Sequence, residues 1–320
     1  MFPGKTASRR ADGWQSYTAS LGSADEGNVV EHITKSLTPI ALLVAAAVVF
    51  VLGTAFLLAS DATLSSSVSA SSDLAQAGRW IQFLAGAGAM AAVCTAGWEV
   101  VVRSEWAAGA ELAAAALGTL LLMIGLLAAA ASNGSSTAGP VTSAVGIGIW
   151  ALLVLSRAAR ASLAEQGPAR TTVPGSAVPG GRGGPGHQAD LWLVAAVGLF
   201  VLAIGYGFTS AASEGAGIAA GILQAVGVAV LAGAMASARS RGLLRAHPVP
   251  SVIAGLVILA VSFLAAAIVA GLSFSTLTAL GAGLTVVTAI ELAGVVVLGL
   301  AAWTRVRELY PSARTAEVSP

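Results

Sequence analysis

Cysteine, lysine and histidine are scarce in this chain, and their positions exclude several kinds of chemistry. The one cysteine, Cys94, lies within an apolar run, so no intramolecular disulfide can form. Both lysines precede the first apolar run, so no intramembrane lysine is present to hold retinal as a Schiff base. The three histidines all lie outside the apolar runs, which excludes a bis-histidine haem within the membrane.

Charge is also scarce, and this excludes an ordinary soluble domain. Only 10% of the 320 residues are charged and 56% are hydrophobic, whereas a soluble domain carries roughly 25% charged residues. The basic residues form short clusters beside apolar runs, which is typical of topology determinants and not of a nucleic-acid-binding face. Arginine far outnumbers lysine and alanine and glycine abound, a bias that indicates a GC-rich bacterial genome.

Catalytic motifs are absent from the sequence. There is no HExxH zinc motif, no GxSxG elbow and no pair of aspartates on two apolar runs. The remaining serines and histidines do not form a nucleophile–base pair at any recognisable spacing. We therefore expect no enzyme activity, no cofactor and no metal site.

Long apolar segments are what the sequence does contain. A helix needs about 20 apolar residues to cross roughly 30 Å of hydrocarbon. The sequence predicts an all-α membrane helix bundle, embedded in a lipid bilayer, with eight transmembrane helices. The predicted spans are 39–59, 80–102, 109–131, 141–157, 191–209, 215–237, 250–272 and 277–303, of which the fourth is the shortest.

The distribution of basic residues predicts the orientation of these spans. Fifteen of the 16 basic residues fall on the side that carries both termini, and only Arg79 falls on the other. The positive-inside rule then predicts a multi-pass protein of the inner (plasma) membrane with cytoplasmic N- and C-termini. The longest outer segment, about residues 60–79, is predicted to be a serine-rich loop that contains Asp61, Asp73 and Arg79.

A segment rich in glycine and proline divides the spans four and four. The predicted organisation is an N-terminal cytoplasmic tail (1–38), a four-helix unit (39–157), a cytoplasmic linker (158–190), a second four-helix unit (191–303) and a C-terminal tail (304–320). Short matches at a fixed offset, such as Phe50-Val51-Leu52 with Phe200-Val201-Leu202, indicate either an internal repeat or chance similarity in an alanine-rich chain.

Glu291 is the residue that most suggests function. It lies near the middle of the eighth span, where an ionised carboxylate costs several kcal/mol, and no basic residue shares that span. Thr288 lies on roughly the same helix face. Either Glu291 couples a proton or cation to transport from an internal cavity, or it is a neutral acid that serves packing alone. Gln82 and Gln224, inside the second and sixth spans, either bridge helices or line such a cavity.

Two functions follow from this pattern. The first is a small-solute transporter or permease, supported by the number of spans, the internal similarity and Glu291. The second is a non-transporting subunit or scaffold of a larger membrane complex, with a partner membrane protein or a second copy, supported by the poverty of polar residues in the spans. Nucleic acid is not expected as a partner.

Overall fold

The computed structural model describes residues 26–102, 106–132, 134–165, 186–211, 214–241, 248–272, 274 and 276–309. Within these ranges the chain forms eight long helices and no strands. The helices are α1 (Glu26–Thr63), α2 (Val68–Val102), α3 (Trp106–Ala131), α4 (Ala138–Glu165), α5 (Gly186–Phe208), α6 (Glu214–Ser240), α7 (Val249–Gly271) and α8 (Leu277–Leu309).

Seven of the eight helices are long and apolar enough to cross a membrane. They are all except α2, and their qualifying segments run from 20 to 28 residues. These lengths match the roughly 30 Å of hydrocarbon at 1.5 Å per residue. The multi-pass helical membrane class is therefore confirmed. The second predicted span, 80–102, lies within α2 and stays a prediction, as does the direction in which the termini face.

Several helices extend beyond the predicted apolar spans. The segment 60–79 was expected to be a loop, and this is wrong: α1 continues to Thr63, α2 begins at Val68, and the connection between them is short. Ser60 donates a hydrogen bond to the carbonyl oxygen of Ser71 at 2.7 Å, which joins the two helix ends. Hydropathy detects only the apolar part of a helix, so polar turns beyond it are missed.

The predicted tails and linker fall only partly on described residues. α1 begins at Glu26, inside the predicted N-terminal tail, and α4 and α5 take up the two ends of the predicted linker. The rest of these segments (1–25, 166–185 and 310–320) lies outside the described residues.

The eight helices form a closed ring. Each helix packs against its neighbours in sequence, α4 packs against α5 across the linker, and α8 packs back against α1. No other pair of helices, among the described residues, brings its Cα atoms within 8 Å. The ring has no gap between the two predicted four-helix units, so the division into tandem units stays a prediction.

Glycine pairs fix the distance between the helices of each hairpin. In all four hairpins (α1–α2, α3–α4, α5–α6 and α7–α8), two glycines face each other so closely that a Cβ on either would lie 2.7–3.3 Å from the other's carbonyl oxygen. Such small residues let antiparallel helix backbones approach in lipid, where dispersion drives association. The pairs are Gly53 with Gly78, Gly118 with Gly146, Gly198 with Gly227, and Gly255 with Gly294.

Three of the helices, α5, α6 and α8, each expose an apolar stripe. On α8 from Ala282 to Trp303 and on α6 from Ile222 to Ala236 the exposed residues recur every three or four positions, and on α5 they are three, four or seven apart from Val194 on. This spacing defines one side of a helix. In a chain of this composition the stripes form the lipid-facing outside of the ring, and residues on the opposite side of each helix face its interior.

Candidate functional site

The seam between α8 and α1 is the one junction of the ring whose helices are not consecutive in sequence. The backbones approach closely at Gly281, where a Cβ would lie 3.2 Å from the carbonyl oxygen of Asp61. Nearer the other end of the seam, a Cβ on Gly299 would lie 3.9 Å from that of Ala47. The seam thus brings the first and last helices into direct contact and positions the polar groups described next.

Asp61 and Thr288 form a hydrogen bond across this seam. The Thr288 hydroxyl donates to Oδ2 of Asp61 at 2.6 Å, over a sequence separation of 227 residues. Thr288 is 9% exposed, so the bond is largely shielded from solvent. A hydrogen bond to a carboxylate is shorter and roughly twice as strong as a neutral one. Asp61 lies near the end of α1, so its carboxylate lies at the end of the ring where the short α1–α2 connection is.

Glu291 lies one helical turn beyond Thr288 and faces the interior. Its neighbours two positions away on either side, Ala289 and Ala293, belong to the exposed stripe of α8, so Glu291 is on the opposite side of the helix. The Glu291 residue itself is half-buried. Among the described residues, none forms a hydrogen bond with its carboxylate, and Thr288 bonds Asp61 in its place.

Tyr206 brings α5 into the same interior. Ile204 and Phe208 are exposed on the outside of α5, which places Tyr206 on the inner side. The Tyr206 hydroxyl interacts electrostatically with Glu291, and Glu291 interacts with Asp61. Because α5 and α8 are not adjacent in the ring, Tyr206 and Glu291 face each other across the interior.

Arg79 places a positive charge near Asp61. It lies on α2, interacts electrostatically with Asp61, and its guanidinium packs over Gly134 in the α3–α4 connection. Gly134 adopts a φ of 80°, a left-handed conformation that favours glycine. The electrostatically connected cluster of Asp61, Arg79, Tyr206, Thr288 and Glu291 is called the inner cluster below.

The two glutamines sit in matching places in two hairpins. A Cβ on Gly53 would lie 2.8 Å from Cγ of Gln82, and one on Gly205 would lie 2.9 Å from Cγ of Gln224. Gln82 is 8% and Gln224 is 6% exposed. The Gln82 amide donates to the Thr54 hydroxyl at 3.3 Å, which bridges α1 and α2. No hydrogen bond joins the Gln224 amide to any of the described residues.

A second group of charged side chains lies between α3 and α4. Glu111 accepts a hydrogen bond from Arg157 at 2.9 Å and forms an ion pair with Arg160 at 2.8 Å, near the opposite end of the ring from Asp61. These contacts join α3 to α4. Cys94 is exposed. Among the described residues, no group of three or more histidine, cysteine, aspartate or glutamate side chains is placed to hold a metal ion.

Sequence reasoning selected Glu291 and Thr288 as candidate site residues, which stays a prediction, and it did not select Asp61, Arg79 or Tyr206. Asp61 was placed in a loop, and Tyr206 had no signal beyond being the one hydroxyl-bearing aromatic within an apolar span. Thr288 was expected to accompany Glu291, whereas its hydroxyl bonds Asp61.

Comparison of the chain with known protein families, with characterised proteins and with solved structures finds no match.

Proposed function

We propose that the protein is a small-solute transporter or permease in which Glu291 carries the coupling proton or cation. The supporting observation is that Glu291 lies on the inner side of α8, one turn from Thr288, whose hydroxyl bonds the Asp61 carboxylate across the α1–α8 seam at 2.6 Å. An acidic side chain in the middle of a span, such as Glu291, is costly and usually marks a pathway for ions or substrates. The proposal includes the orientation from the basic residues, with the termini cytoplasmic and the inner cluster open toward the outer side.

Asp61 and Glu291 differ in the groups that bond them, and this difference indicates a different role for each. Asp61 lies near Arg79 and accepts the Thr288 hydrogen bond at 2.6 Å, so its carboxyl group is held in place and acts as an anchor. Glu291 interacts electrostatically with Asp61 and Tyr206 but has no hydrogen bond from the described residues. A carboxylate without a fixed partner is the one that can release a proton or cation in a transport cycle.

Substitution at Glu291 tests this proposal directly. The full chain is reconstituted in liposomes, and currents or lumenal pH changes are recorded on addition of amines, carboxylates, sugars and metal ions. We expect at least one solute to be moved by the wild type and coupled movement to fall at least tenfold in Glu291→Gln. Asp73→Asn is the matched control, because Asp73 is exposed on α2. The proposal fails if Glu291→Gln moves every solute as well as the wild type does.

A non-transporting membrane subunit is the second candidate. The observation that favours it is the bonding of many polar side chains to the backbone of their own helix, as at Thr119, Thr142 and Ser156, which leaves few of them to line a path. Purification in mild detergent from the native host discriminates the two. A stoichiometric partner that is unstable without this chain would favour the subunit, and a chain that purifies alone would favour the transporter.

A further inference from the structure

Gln224 presents a buried amide that the described residues leave without a hydrogen-bond partner. The side chain is 6% exposed, and its amide has no hydrogen bond to the described residues. A buried amide without a partner costs on the order of 1–3 kcal/mol, so most such groups in proteins are bonded to something. Ile222 and Val226, two positions away on either side, are exposed on the outside of α6, so Gln224 points toward the interior of the ring.

A comparison with Gln82 explains why this amide is unpaired. Both glutamines pack on a glycine of the preceding helix, and the residue after that glycine is Thr54 in one hairpin and Tyr206 in the other. The short Thr54 side chain places its hydroxyl within 3.3 Å of the Gln82 amide. The long Tyr206 side chain instead carries its hydroxyl into the interior, where it interacts with Glu291. The inner side of α5, α6 and α8 therefore offers a phenol, an amide and a carboxylate.

We propose that Glu291, Gln224 and Tyr206 form the binding site of a small organic ammonium ion. This site rests on the proposed function and names the class of its substrate. Of these three side chains only the Glu291 carboxyl group can carry a charge in the physiological range, and that charge is negative, so the ligand that complements it is a cation. Carboxylate, amide and phenol oxygens all accept hydrogen bonds from ammonium N–H groups. The face of the Tyr206 ring adds a cation–π contact of the kind that aromatic side chains make with ammonium ligands.

Inorganic cations fit this arrangement less well. A divalent metal prefers several carboxylate or carbonyl ligands, and the described residues contain no group of three metal-ligating side chains. Transporters that bind Na⁺ coordinate it with backbone carbonyls at breaks in their helices. Here α5, α6 and α8 run without interruption past Tyr206, Gln224 and Glu291, so their carbonyl oxygens are engaged in the helices.

Calorimetric titration of the full chain in lipid nanodiscs tests the site. The probes are primary alkylammonium chlorides from methylammonium to hexylammonium, with the matching tetramethylammonium, alcohols and carboxylates. We expect saturable binding of at least one primary ammonium ion and at least tenfold weaker binding of tetramethylammonium, which lacks N–H donors. Glu291→Gln and Gln224→Leu should each weaken the ammonium affinity by about tenfold or more. Gln82→Leu is the matched control and should leave it unchanged.

Three outcomes would overturn the proposed site. The first is that no primary ammonium ion binds the folded wild type, and the second is that Gln224→Leu and Gln82→Leu bind the ammonium ion equally well. The third is that alcohols or carboxylates bind and ammonium ions do not. Tyr206→Phe provides a further variant if Glu291→Gln does not fold. It should weaken ammonium binding while the ring of eight helices remains folded. Ammonium binding without any transport would contradict the proposed function but would support the binding site. Transport of a neutral or anionic solute that depends on Glu291 would remove the site and leave the function.

Discussion

Thr288 illustrates how one hydroxyl can matter more than its residue type indicates. It lies three positions from Glu291 and three from Thr285, and the three side chains differ in what they bond. Thr285 donates to the carbonyl oxygen of Gly281 within its own helix at 2.7 Å, whereas Thr288 donates to Asp61 on another helix. Only the second bond holds two helices together and keeps a carboxylate in place.

Thr288→Val should therefore destabilise the protein more than Thr285→Val. Loss of a hydrogen bond to a charged group leaves the Asp61 carboxylate without its donor and costs about 1.5–3 kcal/mol. The Thr285 change removes only a bond within one turn, which we expect to cost less than about 1 kcal/mol. Thermal unfolding of both variants in the same detergent measures the difference. Equal melting temperatures would show that the Asp61 bond contributes nothing.

Gly134 is the second residue at which a single substitution is informative. Its φ of 80° is unfavourable for any residue with a Cβ, by about 1–2 kcal/mol, and a Cβ there would lie 2.8 Å from the Arg79 guanidinium. Gly134→Ala should lower the melting temperature. Gly207→Ala is the control, because nothing lies within 4 Å of the added Cβ at that helical position. A Gly134 variant as stable as the Gly207 variant would contradict the assignment of strain to this turn.

At the scale of the element, the helices were predictable and their mutual register was not. Runs of about 20 apolar residues specify helices, because only internal hydrogen bonds can satisfy the backbone in lipid. The partner of each glycine could not be found in this way: the chain has 38 glycines, and small residues recur along every span. Asp61 was missed for the related reason that it follows an apolar run and its partner is 227 positions away.

The glycine pairs make the register testable. Gly227→Ala places a Cβ 2.7 Å from both the carbonyl oxygen of Gly198 and the backbone nitrogen of Leu202, neither of which can move without shifting α5. Overpacking of this kind costs about 1–3 kcal/mol. Gly233→Ala, on the exposed side of the same helix with nothing within 4 Å, should be neutral. Melting curves in detergent compare the two, and a Gly227 variant as stable as the Gly233 variant would show that α5 and α6 do not meet there.

At the scale of the whole molecule, the ring gives the protein an inside. Neighbouring helices alone could form an open row, and in that case Asp61 and Glu291 would lie at opposite edges. Packing of α8 on α1 closes the row, so that Thr288 bonds Asp61 one turn from Glu291, with Tyr206 across the interior. Hydropathy predicted the seven helices that are long and apolar enough to cross a membrane, and it marked Glu291 as an acid within a span. It contains no information on which non-consecutive helices touch, so the inner cluster as a whole could not be predicted.

Disulfide cross-linking between α1 and α8 is the measurement that tests the closed ring most directly. In a Cys94→Ser background, Ala47→Cys is combined with Gly299→Cys, where the Cβ separation of 3.9 Å suits a disulfide. A protease site is inserted between residues 166 and 185. After oxidation and cleavage, the two halves should stay joined on a non-reducing gel and separate on reduction, whereas Ala47→Cys with Gly233→Cys should give separate halves in both. Halves that separate in the first pair under oxidising conditions would contradict the ring and, with it, the inner cluster.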